Sequence, residues 1–210
     1  MKTATTLFIA LASAVLLFQV EVAEAQAKPA VTAAATAAAA ASTTAQLLPA
    51  QSELGFTSRQ MGVPVDGRFK IFNAQLAFDP KKPEAGRVAF SIDLASVALG
   101  APELEAELAK APWFDSKKMP QASFQSSAIK AGSGVGRYDI SGKLTLKGQT
   151  RDIVVPITLT QAGAVSTAAG SFVLKRLEFK IGDGEWSDVS LVANEVTVKF
   201  KLAFTGVALL

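Results

Sequence analysis

Few side chains in this sequence carry the types and spacing that chemistry requires. Ser127-Ala128-Ile129-Lys130 has the S-x-x-K spacing of a serine nucleophile with a lysine base. That chemistry needs the serine at a helix start, with the lysine one turn away. The flanking residues alternate as a strand does, and strand residues three apart point to opposite faces, so no catalytic pair is expected. Gly132-Ser133-Gly134-Val135-Gly136 is glycine-rich like a phosphate loop. It lacks the G-x-x-x-x-G-K-[ST] spacing and no helix follows, so it reads as a hairpin loop. Asp183, Glu185 and Asp188 could gather a calcium ion, but without the EF-hand spacing they read as a solvated acidic loop, and no metal site is expected. Arg59, Arg68 and Arg151 are the candidates for holding an anionic head group, because a guanidinium pairs with phosphate through two parallel hydrogen bonds. For each, an ordinary surface arginine is the plainer reading.

Two zero counts narrow the chemistry further. The chain has no His and no Cys. That removes Ser-His-Asp and Cys-His catalysis, zinc sites built on His or Cys, haem held by His, iron–sulfur ligation and disulfides. No cofactor is expected. Carboxylate, lysine or serine chemistry remains, or simple binding. Lys and Arg number 21 against 18 Asp and Glu, a net charge of +3, and no run of five or six like charges occurs. A nucleic-acid partner is not expected from so scattered a charge.

Stepping along the chain, Lys2 precedes an uncharged, mostly apolar run from Leu7 to Val20, followed by the A-x-A sites Ala23-Glu24-Ala25 and Ala25-Gln26-Ala27. This is the layout of a secretory signal, assigned to residues 1–27, with export to the periplasm. The run is shorter than the roughly 20 residues of a spanning helix, so the mature chain is not expected to span a membrane. Residues 28–45, nearly all Ala, Thr, Ser and Val, read as a tether. The folded domain is expected over 46–210.

Period-two alternation dominates that domain. Val88, Phe90, Ile92 and Leu94 share a face. So do Ile153, Val155, Ile157 and Leu159, and so do Val196, Val198, Phe200, Leu202 and Phe204. Weaker alternation runs over 54–61, 68–78, 122–130, 137–146 and 165–174, which makes about eight strands. Lys147-Gly148-Gln149 reads as a tight hairpin, and Pro102 to Lys110 as the one short helix. Antiparallel strands with one apolar face must hide it, in a sandwich or a closed barrel, and periodicity alone does not choose between them.

Three stretches stand out: Ser52-Glu53-Leu54-Gly55-Phe56 through Met61 and Gly67-Arg68-Phe69 to Phe78-Asp79-Pro80; Trp113-Phe114-Asp115 with Met119-Pro120-Gln121-Ala122-Ser123-Phe124 and Ser126; and Gly142-Lys143-Leu144-Thr145-Leu146-Lys147-Gly148-Gln149-Thr150-Arg151. Together they resemble the YceI-like family of bacterial, mostly periplasmic, isoprenoid-binding proteins. The resemblance implies an all-β, eight-stranded antiparallel, lipocalin-like barrel with one short helix. It also implies a non-enzymatic carrier whose apolar lumen takes an isoprenoid or other long-chain amphiphilic lipid. On that basis the lumen set is Phe56, Met61, Phe69, Phe72, Phe78, Phe90, Ile92, Trp113, Phe114, Phe124, Leu144 and Phe172. The chain departs from the commonest family pattern at Gln60, where many members have His. It departs again at Leu104 to Glu107, where many have an Arg-Asp-x-His stretch, and this puts the family's head-group contacts in question.

The stretch from Pro102 to Phe114 is the expected gate. Three other readings stay open on sequence: a filled barrel serving as an interaction module, a small enzyme acting on such a lipid, and an outer-membrane barrel. The last lacks aromatic girdles. A homodimer is allowed but nothing in the sequence demands one.

Overall fold

The computed structural model describes residues 44–209. The expected signal and nearly all of the expected tether lie outside the described residues. The first strand, β1 (Thr44–Leu47), takes the last two tether positions, and Ala45 is buried in it. There follow β2 (Glu53–Gln60), β3 (Val63–Phe69), β4 (Phe72–Ala77), β5 (Arg87–Asp93), β6 (Val97–Ala98), helix α1 (Pro102–Leu108), β7 (Gln121–Ala131), β8 (Arg137–Leu146), β9 (Gln149–Ala162), β10 (Val165–Lys175) and β11 (Glu195–Thr205). Every pairing is antiparallel. Eight strands close a ring in the order β1-β4-β5-β7-β8-β9-β10-β11, and β11 returns to β1 through Gln46↔Thr205 and Leu47↔Phe204. No helix among the described residues is long and apolar enough to cross a membrane.

The ring is closed tightly at one end and loosely at the other. β1 and β2 lie along the same edge of β11, β1 at Phe204–Thr205 and β2 over Thr197–Lys201. Between them Pro49–Gln51 forms a 3-10 turn. Proline brings no N–H to a ladder, so the edge breaks there. β4 pairs with β1 only over Gln75–Ala77, whereas its first residues, Phe72 to Ala74, pair only with β5. A gap in the wall results, between the start of β2 and the start of β4. β3 runs alongside β2 and carries the short β6.

The expected single strand over 68–78 is two. The backbone N–H groups of Lys70 and Ile71 donate to the carbonyl and hydroxyl oxygens of Ser96, at 3.1 and 3.0 Å, and these bonds replace the ladder and bend the chain. The 122–130 alternation is weak because β7 holds a bulge at Ser127. The extra residue lets Phe124 and Ile129, five apart, both face inward. It also leaves both Ser127 and Lys130 exposed, rather than on opposite faces, with the Ser127 hydroxyl donating to the Ser141 carbonyl. The Lys147-Gly148 turn has φ of +47° and +70°, as a two-residue type I′ hairpin requires. Helix α1 ends two residues earlier than expected.

Candidate ligand lumen

The inward faces of β5, β9 and β11 are those that the alternation assigns. Phe90, Ile157 and Phe200 point into the barrel with their i±2 neighbours. Strand glycines let the largest rings lie flat across the lumen. Gly170, paired with Phe200, would place a Cβ 2.6 Å from the Phe200 ring, and Gly67, paired with Phe56, would place one 2.3 Å from that ring. The adjoining strand thus yields the space that each ring fills.

Two cavities remain inside. The first, about 140 Å³, meets only apolar side chains, from Phe78 and Phe204 at one end to Leu144 and Phe172 at the other. The second, about 150 Å³, continues toward α1 and is lined by Phe56, Phe69, Leu108, Trp113 and Phe114. Leu54, Ile92, Leu144, Phe172 and Val198 line both, so the cavities share a wall of side chains rather than of backbone. An apolar cavity of about 150 Å³ stays dry and takes a benzene-sized guest. Together the two chambers approach the roughly 300 Å³ at the lower end of small-molecule sites.

Ten of the twelve expected lumen residues line one chamber or both: Phe56, Phe69, Phe78, Phe90, Ile92, Trp113, Phe114, Phe124, Leu144 and Phe172. Two do not. Met61 lies in the β2–β3 turn at φ +47°, 70% exposed, because β2 ends one residue before it and the alternation stops there. Phe72 packs on Phe90, centroids 5.8 Å apart, and faces the gap in the wall. The three expected arginines are exposed and line neither chamber. Arg59 donates to the Gly62 carbonyl and Arg151 to the Thr150 carbonyl, while Arg68 borders the gap.

Two buried cations that sequence reasoning did not single out hold the α1 end of the barrel, and one of them, Arg176, lines the second chamber. Arg176 is 1% exposed. Its five N–H donors all reach backbone carbonyls: Nε to Ala193 at 3.1 Å, Nη1 to Ile181 and Gly182 at 2.8 and 3.0 Å, and Nη2 to Trp186 and Val192, both at 2.7 Å. Among the described residues no carboxylate forms an ion pair with it, so carbonyl dipoles solvate the charge. Burial lowers its pKa, opposed by Asp183, but a guanidinium stays protonated. The alternation did contain a signal: Phe172 and Leu174 point inward, and Arg176 continues their parity.

Lys147 is 8% exposed. Its ammonium donates to the carbonyls of Pro112 and Lys180 and lies 3.6 Å from Asp183. Burial lowers its pKa and Asp183 raises it. The Pro112 carbonyl also accepts from the N–H groups of Gly182 and Asp183, so the segment after α1 is stitched to the 176–194 loop. Trp113 packs on Trp186 at 5.6 Å, and its Nε1 is the one buried side-chain polar atom without a partner among the described residues. No cluster among the described residues could hold a metal ion.

Known proteins share this architecture. The family model of the YceI-like domain matches residues 46–204. BcnA of Burkholderia cenocepacia, known from its crystal structure, is 44% identical, with 75% of this chain and 99% of that one aligned at a TM-score of 0.73. A polyisoprenoid binding domain from Saccharophagus degradans, 18% identical with a TM-score of 0.62 over 78% of this chain and 98% of its own, has the same fold. A UPF0312 protein of Pseudomonas putida strain W619 is 33% identical over 99 residues, 47% of this chain and 51% of the relative. The chain thus spans about half the length of the curated relatives it matches.

Proposed function

The chain belongs to the YceI-like domain family, and from that premise we propose that it is an exported, periplasmic carrier that sequesters the tail of an isoprenoid-type lipid in its barrel lumen, without catalysis. The observation that carries this reading is the first chamber, a barrel interior bounded by apolar side chains alone. Such a site offers a hydrocarbon nothing to hydrogen-bond and loses nothing by holding it. Affinity comes from area removed from water, about 25 cal/mol per Å². The Saccharophagus degradans neighbour, described as a polyisoprenoid binding domain, supports the choice of cargo. Each chamber matches a guest of about five or six carbons. A longer prenyl chain fills both when the side chains between them, Phe172 and Leu144, rotate aside.

The modest chamber volumes favour one second reading, a side-chain-filled barrel that serves as an interaction module. Native mass spectrometry of the protein purified from its own host separates the two. The carrier reading expects an added mass that releases a prenyl lipid on extraction. A bare mass that persists after incubation with prenyl quinones and prenyl phosphates overturns it in favour of the filled barrel.

A further inference from the structure

The stitching beneath α1 bears on where cargo passes. That end is tied by Arg176, by Lys147 and by three bonds to the Pro112 carbonyl. The gap in the wall has no comparable ties. It opens as a groove of about 770 Å³ between the Pro49–Gln51 turn with the start of β2 on one side and Arg68 to Phe72 on the other. Ladder bonds are absent across it, since β4 meets β1 only from Gln75 onward and β2 meets β11 and β3.

The partition between groove and lumen is one side chain thick. Leu54 lines the groove and both chambers, and Phe69 lines the groove and the second chamber. Phe72 lines the groove and packs on Phe90, which lines the first chamber. The rim is cationic. Arg68, Lys70 and Lys201 are exposed along it, against one carboxylate, Glu53. Among the described residues none of these four takes part in a salt bridge. Lys70 also lies near enough to Glu105 to lower its pKa, yet that carboxylate is taken up by the N–H groups of Leu99 and Gly100. An excess of positive charge therefore faces the groove, whose mixed lining includes the apolar Leu54, Phe69 and Phe72.

We propose that this seam is the lateral portal of the barrel and a head-group site: the tail of an amphiphile passes between Leu54, Phe69 and Phe72 while an anionic, phosphate-type head group rests on Arg68, Lys70 and Lys201. The inference rests on the carrier reading and deepens it. It moves the gate from the segment 102–114 to the part of the second chamber's wall formed by Leu54 and Phe69. A guanidinium and two ammonium groups around one groove supply the charge-assisted donors that a phosphate accepts.

The test is calorimetric titration of the full chain with farnesyl phosphate, farnesol and inorganic phosphate. The triple variant Arg68→Gln, Lys70→Gln, Lys201→Gln is compared with a charge-matched control, Lys81→Gln, Lys82→Gln, Lys130→Gln, and with Trp113→Phe. Thermal melts confirm folding of each. The portal expects farnesyl phosphate to weaken about tenfold or more in the triple variant, the scale of one hydrogen bond to a charged group. It expects farnesol to be unchanged and the control near wild type. An unchanged farnesyl phosphate affinity, an equal loss in the control, or a loss in Trp113→Phe alone overturns it. Inorganic phosphate binding as tightly as farnesyl phosphate makes the groove a free-phosphate site and likewise overturns the portal. If neither farnesol nor farnesyl phosphate binds wild type, the carrier reading falls and the inference with it. If wild type binds both ligands and the triple variant weakens neither, the inference alone falls and the carrier reading stands.

Discussion

The two sides of the second chamber are held by different physics. Beneath α1, an arginine and a lysine are buried and their donors spent on main-chain carbonyls, so an irregular loop of some twenty residues is pinned in one conformation. Across the seam the charges are exposed, no ladder joins β2 to the start of β4, and the partition is built of the apolar side chains Leu54, Phe69 and Phe72. Buried hydrogen bonds to a charge are directional and costly to break, whereas apolar contacts are individually weak and tolerate displacement. A barrel that loads a lipid needs both: one face that resists opening and one that yields.

The largest expected effect comes from removing the pin. Arg176→Leu leaves five carbonyls facing an apolar side chain, and we expect a loss of about 4 kcal/mol or more in urea denaturation. A loss under about 1 kcal/mol would mean that the 176–194 loop is not held by this residue, and the contrast between the two sides would fail.

The partition comes next. Leu54 is 4% exposed and already borders three voids, so Leu54→Ala is expected at the lower end for a buried leucine, about 2 kcal/mol. It is also expected to speed farnesol release in stopped-flow exchange, because the wall between groove and lumen thins. Destabilisation without faster release would show that the seam is not the path.

The smallest effect concerns Glu105, at the start of α1. The N–H of Leu99 holds its carboxyl below the ordinary value near 4.5, opposed by desolvation and aided by Gly100 and Lys70. A depressed carboxylate contributes stability that is present above its ordinary value and lost as pH falls through the folded value. Glu105→Gln should therefore lower the melting temperature slightly at pH 7, and the two melting curves should converge below pH 4.5. A gap that persists in acid would assign the effect to packing instead.

Much of this was legible in the residue pattern. The strands and their inward faces follow from strict alternation on β5, β9 and β11, the closed barrel from the family resemblance, and the hairpin at Lys147-Gly148 from its turn chemistry. Chamber-lining aromatics followed from the family resemblance, except where local structure intervened. Met61 was misplaced because a turn with positive φ interrupts the period at that residue. Ser127 and Lys130 were misread because a bulge adds one residue to the count. Arg176 was overlooked although it keeps the inward parity of Phe172 and Leu174, since a charged residue at a strand end ordinarily reads as solvated.

The linear order of side chains set the strand period, the turns, the absence of thiol and imidazole chemistry, and the apolar character of the interior, because each depends on neighbours within a few residues. Where the wall closes and where it parts was decided only by the tertiary structure. Ring closure depends on which strand edge meets β1, and the seam exists because Pro49 and the Ser96 bonds divert two segments far apart in sequence. The same holds for Arg176. Its five acceptors come from residues 181 to 193, and no local pattern announces that they will converge on one guanidinium.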